Sequence, residues 1–206
     1  ALELDPEVGT IYTSIAECYR NIGKPELSLK NLNVALSKNP EDEEALKMMA
    51  DQLIATKKYD EAIKPFKKLR ELDGQNTSYI IALAELNKLK KNYLNTVNLY
   101  LEAYAIEPSR IELLESAGRY ALQLENKDKA KSIFKDLSEQ DPFQSSYLNI
   151  YSELAIQTKN FEEAISHIQK LINDNGDSSL LKSKLGILYH SSGNSKKGEE
   201  VLRALF

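Results

Sequence analysis

Four dipeptides ending in proline, Asp5-Pro6, Asn39-Pro40, Glu107-Pro108 and Asp141-Pro142, each close an apolar run, and their spacings are 34, 68 and 34 residues. The 68-residue interval is two periods, and where the chain skips a proline it offers Gly74; Gly176 stands 34 residues beyond Pro142. Proline lacks the N–H that a helix interior needs, and glycine favours the left-handed end of a helix, so a helix breaker recurs once per period. A fixed period constrains the fold more than any local pattern, because each repeat buries its apolar face only against its neighbours. Composition agrees with helix. Eight Gly and six Pro are few for 206 residues, while Leu, Ala, Glu and Lys are plentiful.

With Gly9 as column 1 of a 34-residue frame, full repeats are expected at 9–42, 43–76, 77–110, 111–144 and 145–178, with a truncated sixth at 179–206. Residues 1–8 read as the tail of a preceding repeat. Column 8 then holds Ala16, Ala50, Ala84, Gly118, Ser152 and Gly186, and column 20 holds Ser28, Ala62, Thr96, Ala130, Ala164 and Gly198. All twelve are small, which is what two helices need where their backbones approach. Column 24 carries larger apolar residues, Leu32, Phe66, Tyr100, Phe134, Ile168 and Leu202. Columns 4, 7, 8 and 11 share one helical face, as do 20, 24 and 27. Each repeat is therefore expected to be two amphipathic helices of about 14 residues joined by a short turn, Asn21-Ile22-Gly23-Lys24 being the first.

This pattern resembles the tetratricopeptide repeat over essentially the whole chain. Tyr12, Ile15, Ala16 and Tyr19 stand where that family has large, Leu, small and aromatic residues, and Ala130, Phe134 and Pro142 match its second-helix signature. The departures are the absence of Trp, Asn87 in place of the first-helix aromatic, and Lys182 at a column that is usually bulky and apolar. The resemblance implies an all-α solenoid of stacked antiparallel helix pairs wound as a right-handed superhelix, with first helices lining its concave side. Pro65 falls inside a second helix; a kink is expected there, with the proline at a solvent-facing column.

Most chemistry is excluded. The 27 basic and 31 acidic residues leave a net charge of −4 with no lysine-rich block, so attraction to nucleic acid or anionic lipid is not expected. An RNA-reading array would need a basic groove. No apolar stretch approaches the roughly 20 residues that span a bilayer. Ala1-Leu2-Glu3-Leu4-Asp5-Pro6 reads as the end of a helix whose start is missing, leaving room for a targeting segment; cytoplasm is slightly favoured and periplasm stays open. Cys18 is the one cysteine and matches no zinc spacing; burial at a helix contact is its expected role. His167 and His190 lie in different repeats, where structural or solvated roles are expected, and no catalytic, cofactor-binding or metal-binding residue is assigned. Asn173-Asp174-Asn175-Gly176-Asp177 lacks the acidic spacing and closing glutamate of a calcium loop and reads as a helix exit. Asn76-Thr77-Ser78 meets the glycosylation rule, a match common by chance.

Function is left to the concave surface that the resemblance implies. Its expected lining is Lys47, Ile81, Glu115 and Asn149 from column 5, Asp51, Glu85, Arg119 and Glu153 from column 9, and Ile54, Lys88, Leu122 and Ile156 from column 12. Such a mixed acidic and apolar groove suits a partner peptide or helix bearing basic and apolar residues. Family members that grip acidic chaperone C-termini need Lys and Asn four apart in one first helix. Here Lys47 is followed by Asp51, Glu115 by Arg119 and Asn149 by Glu153, so no chaperone-tail clamp is expected. The expected function is a non-catalytic protein-binding scaffold; the alternative is a regulatory or substrate-docking arm of a larger enzyme, such as a glycosyltransferase. Val201, Leu202, Leu205 and Phe206 form an apolar end that leaves end-to-end self-association open.

Overall fold

The computed structural model describes residues 5–176 and 178–205, and for Pro6 the backbone alone. The described residues form twelve α-helices and divide into two compact units, Ala1–Glu107 and Pro108–Phe206. The first unit holds α1 (Pro6–Asn21), α2 (Pro25–Lys38), α3 (Glu43–Ala55), α4 (Tyr59–Leu72), α5 (Thr77–Leu89) and α6 (Tyr93–Ile106). The second holds α7 (Ile111–Gln123), α8 (Lys127–Gln140), α9 (Ser145–Gln157), α10 (Phe161–Asn175), α11 (Ser179–Ser191) and α12 (Ser195–Arg203). Within each unit, consecutive helices pack side by side as antiparallel pairs, giving an all-α solenoid of stacked hairpins.

Six of the twelve helix starts, α1, α3, α5, α6, α8 and α12, are capped by an Asp or Asn side chain that satisfies an orphan N–H group of the first turn. Asp5 accepts from the Val8 N–H at 3.2 Å and Asp42 from that of Ala45 at 3.0 Å, while Asn126 caps α8 through the Lys129 N–H at 3.1 Å. Every hairpin turn passes through one left-handed residue at column 15: Gly23 (φ 69°), Lys57 (59°), Lys91 (58°), Glu125 (55°), Lys159 (56°) and Gly193 (90°). Four of the six carry a Cβ that this conformation disfavours by about 1–2 kcal/mol, a cost offset by paired backbone bonds that cap the first helix, such as Lys57 N–H to the Ile54 carbonyl at 2.9 Å and Lys58 N–H to that of Leu53 at 2.8 Å.

All twelve small residues of columns 8 and 20 are buried. A Cβ on Gly118 would lie 3.1 Å from both Ile133 Cγ2 and Phe134 Cε2, and one on Gly198 would lie 2.9 Å from the Gly186 carbonyl oxygen. The α11 and α12 backbones therefore touch where both columns hold glycine. In the first unit Leu53, Phe66, Leu69, Tyr79, Leu83 and Leu86 fill one core cluster. In the second, Leu114, Leu137, Leu148, Ile168, Leu181 and Leu188 are almost fully buried.

Two expectations are corrected. Pro65 is buried, because with Ala62, Phe66 and Leu69 it follows the three- and four-residue spacing of a single inward face; α4 continues as helix through it. Cys18 is exposed. It lies on a stripe of α1 with Ile11 and Ile22, both more than half exposed, and no described second helix precedes α1 to cover that face. Phe206 and Asp177 lie outside the described residues; Val201, Leu202 and Leu205 are half-buried.

Candidate peptide-binding surface

The two faces of each unit differ. First helices touch one another, α1 against α3 in the first unit and α9 against α11 in the second. Second helices are parted by open clefts of about 530 Å³ between α2 and α4, 600 Å³ between α4 and α6, and 580 Å³ between α10 and α12. Within each unit, then, one pair of first helices is in direct contact and clefts open between second helices.

None of the twelve residues expected to line a groove is buried. Lys47, Asp51, Arg119, Leu122, Asn149 and Glu153 are exposed, and Ile54, Ile81, Glu85, Lys88, Glu115 and Ile156 are half-buried. Several of the charged ones are already engaged. The Tyr79 hydroxyl donates to Glu43, whose carboxylate also takes the Lys47 ammonium, and those bonds hold Glu43 below the usual carboxylate range and raise Lys47. Tyr147 makes the matching bond to Glu115 in the second unit; burial and then this carboxylate push its phenol up to about 12. Both tyrosines sit at column 3 and tie one first helix to the next. Glu85 accepts from Lys88 and from Tyr100 of α6. Glu85 and Glu115 thus brace the array, a role their first-helix columns did not reveal.

One cleft opens on the first-helix side, between α7 and α9 above the start of α8, with a volume of about 470 Å³. Its apolar surface is Leu122, Ile150 and Leu154, with Leu122 36% exposed. Glu125 and Glu153 bring carboxylates to it, Lys127 brings one ammonium, and Gln157 donates to Glu153 at 3.2 Å. Glu125 reaches this position because it is the left-handed turn residue between α7 and α8. Of the expected groove residues this cleft unites Leu122 and Glu153; Arg119, Asn149 and Ile156 lie on the same helices but not in its lining. Glu125, Lys127, Ile150, Leu154 and Gln157 were not among the expected groove residues, since Glu125 and Lys127 lie beyond the first helix, Ile150 and Leu154 fall between the chosen columns, and Gln157 lies just past the last of them.

A second polar grouping lies inside this unit. Ser138 Oγ is 2.8 Å from His167 Nε2, and Glu139 is 3.5 Å from Nδ1. The types resemble a nucleophilic triad, but the proton order runs the other way. Ser138 donates to the Lys135 carbonyl at 2.7 Å, so its oxygen accepts from the imidazole. Ser138 is fully buried and His167 4% exposed, and burial lowers the His167 pKa to about 4. His167 meets Tyr151 edge-on at 4.9 Å between α9 and α10, the hairpin pair that approaches least closely. The group is a buried spacer. Among the described residues no set of three or more His, Cys, Asp or Glu could hold a metal ion, and no helix is long and apolar enough to cross a membrane.

Residues 116–179 match the family model described as tetratricopeptide repeat. No curated protein matches the sequence. Among solved structures, a tetratricopeptide repeat protein from Parabacteroides merdae ATCC 43184 is similar with a TM-score of 0.54 and 17% identity, covering 97% of this chain and 79% of that one. The MamA protein gives a TM-score of 0.53 at 16% identity over 97% of this chain and 90% of its own. One chain of the structure of Naa15/Naa10 bound to HypK-THB gives 0.62 at 15% identity, covering 95% of this chain but 31% of that one. At these identities the likeness is one of fold. The matched span carries the same small-residue helix pair that recurs through the rest of the sequence, so residues 116–179 match the tetratricopeptide repeat and the chain has the fold of tetratricopeptide-repeat proteins.

Proposed function

We propose that the protein is a non-catalytic scaffold that holds a peptide or helix of a partner protein on the face of its first helices, with the repeats at 9–42 through 145–178 as its binding units. The observation that carries this reading is the cleft between α7 and α9, where Leu122, Ile150 and Leu154 lie beside the carboxylates of Glu125 and Glu153. An apolar floor flanked by two carboxylates suits an anchor side chain next to a lysine or arginine. The fold supports a scaffold role in general terms; the class of partner comes from the cleft.

The test is selection of binders from a displayed random peptide library on the immobilised protein. Enriched sequences are expected to pair Leu, Ile or Phe with Lys or Arg, and Leu122→Ala or Glu153→Lys is expected to weaken them about tenfold, the equivalent of about 1.4 kcal/mol. Enriched peptides without basic residues, or affinities indifferent to both substitutions, would refute it.

A second reading, the docking arm of a larger protein, is favoured by one comparison: this array resembles a stretch that makes up 31% of a much longer chain in the Naa15/Naa10 structure. The same cleft would then serve as the docking site.

A further inference from the structure

A cleft of about 600 Å³ lies on the second-helix side of the first unit, between α4 and α6 with α5 beneath, and the scaffold function makes no use of it. Its floor is apolar, formed by Ile63, Leu83 and Leu99, with Asn87 set into it where the family pattern has an aromatic. Its walls carry a larger excess of cations than those of the α2–α4 or α10–α12 cleft. Lys64, Lys67, Arg70 and Lys90 face it against two carboxylates, Asp60 and Glu102.

Both carboxylates are occupied. Glu102 takes the Arg70 guanidinium at 2.8 Å, and Asp60 takes the Lys90 ammonium. Lys64 and Lys67, one helical turn apart on the exposed side of α4, pair with no carboxylate among the described residues. Across the cleft α6 presents the exposed amides of Asn95 and Asn98 at the same three-residue spacing. One wall therefore offers two unpaired cations, the other amide donors and acceptors, and the floor an apolar surface.

We infer that the α4–α6 cleft binds an extended acidic segment of a partner protein. Aspartate or glutamate side chains would meet Lys64 and Lys67, and small apolar side chains would rest on Ile63, Leu83 and Leu99. An extended strand exposes its main-chain N–H and C=O groups, which Asn95 and Asn98 can satisfy, whereas a helix keeps those groups to itself. The chain's net charge of −4 repels an acidic segment elsewhere, so the local excess of cations also selects where it lands.

The experiment is fluorescence anisotropy on the full chain with a labelled, C-terminally amidated peptide of Asp, Glu and Leu, beside a Lys-for-acid version, a single-stranded RNA and a phosphoserine peptide. The acidic peptide is expected to bind in a salt-dependent manner. Lys64→Glu with Lys67→Glu is expected to weaken it at least tenfold, and Asn95→Ala with Asn98→Ala severalfold, while the same reversal at exposed Lys129 of the second unit, Lys129→Glu, leaves it unchanged. Circular dichroism verifies that the variants fold, which is expected because all four altered side chains are exposed. Equal binding of the lysine peptide, tighter binding of the RNA or the phosphoserine peptide, or indifference to the Lys64/Lys67 reversal would overturn the inference. The scaffold reading is tested by Leu122 and Glu153, so the two fail separately.

Discussion

His167 makes stability depend on pH in a way the structure allows one to work out. The imidazole is 4% exposed, its Nε2 is committed to Ser138, and its Nδ1 lies 3.5 Å from Glu139, too far for a strong hydrogen bond. Burial lowers its pKa from 6.5 to about 4, with Glu139 opposing and Lys135 and Lys170 reinforcing the fall. Below pH 6.5 the unfolded chain therefore binds a proton that the folded chain does not. Its contribution to stability is fully present above the unfolded pKa and is lost as pH falls towards the folded one, at about 1.4 kcal/mol per pH unit and about 3 kcal/mol in all. Carboxylates titrate at the lower end of this window, so the measurement is a difference between wild type and His167→Gln, which keeps a donor for Ser138. Urea denaturation is expected to show the wild type losing about 2 kcal/mol more than the variant between about pH 7 and about pH 5. Parallel curves would mean that His167 titrates normally in the fold and that the buried spacer between α9 and α10 is misassigned.

Lys57→Gly, Lys91→Gly and Lys159→Gly each relieve a left-handed side chain and are expected to raise stability by about 0.5–1 kcal/mol, with Gly23→Ala costing about as much, since nothing lies within 4 Å of its would-be Cβ. Thermal melts of the four variants check this; a loss in the Lys→Gly set would contradict it. Tyr147→Phe removes the donor to Glu115 and is expected to destabilise the second unit by about 1–2 kcal/mol, seen as faster hydrogen exchange in α7 and α9. Unchanged exchange there would show that the tyrosine ties nothing.

The repeat was legible because close helix contact leaves a trace in composition: a column that admits only small side chains reads as Ala, Gly, Ser and Thr at a fixed period. The left-handed turn left a trace only at Gly23 and Gly193, since Lys57, Lys91, Glu125 and Lys159 are not residues that favour positive φ and are held there by backbone hydrogen bonds that any residue can make. Pro65 and Cys18 show the same limit from the other side. Whether a column is buried depends on which helix lies across it, and α1 has no described helix across its Ile11 stripe. In the candidate surface, Leu122 and Glu153 were readable from helical spacing, whereas Glu125 and Lys127 enter the cleft from the turn and the next helix. The bracing roles of Glu85 and Glu115 depend on partners 15 and 32 residues away, distances at which local sequence is silent.

The central claim, that a partner segment is held on the first-helix face, is tested most directly by hydrogen–deuterium exchange of the full chain with and without a library-selected peptide at saturation. Protection is expected in α7 and α9, centred on Leu122 and on the Ile150 to Gln157 stretch, with the exposed side of α10 unchanged. Protection confined to second helices, with α7 and α9 exchanging as in the free protein, would contradict it.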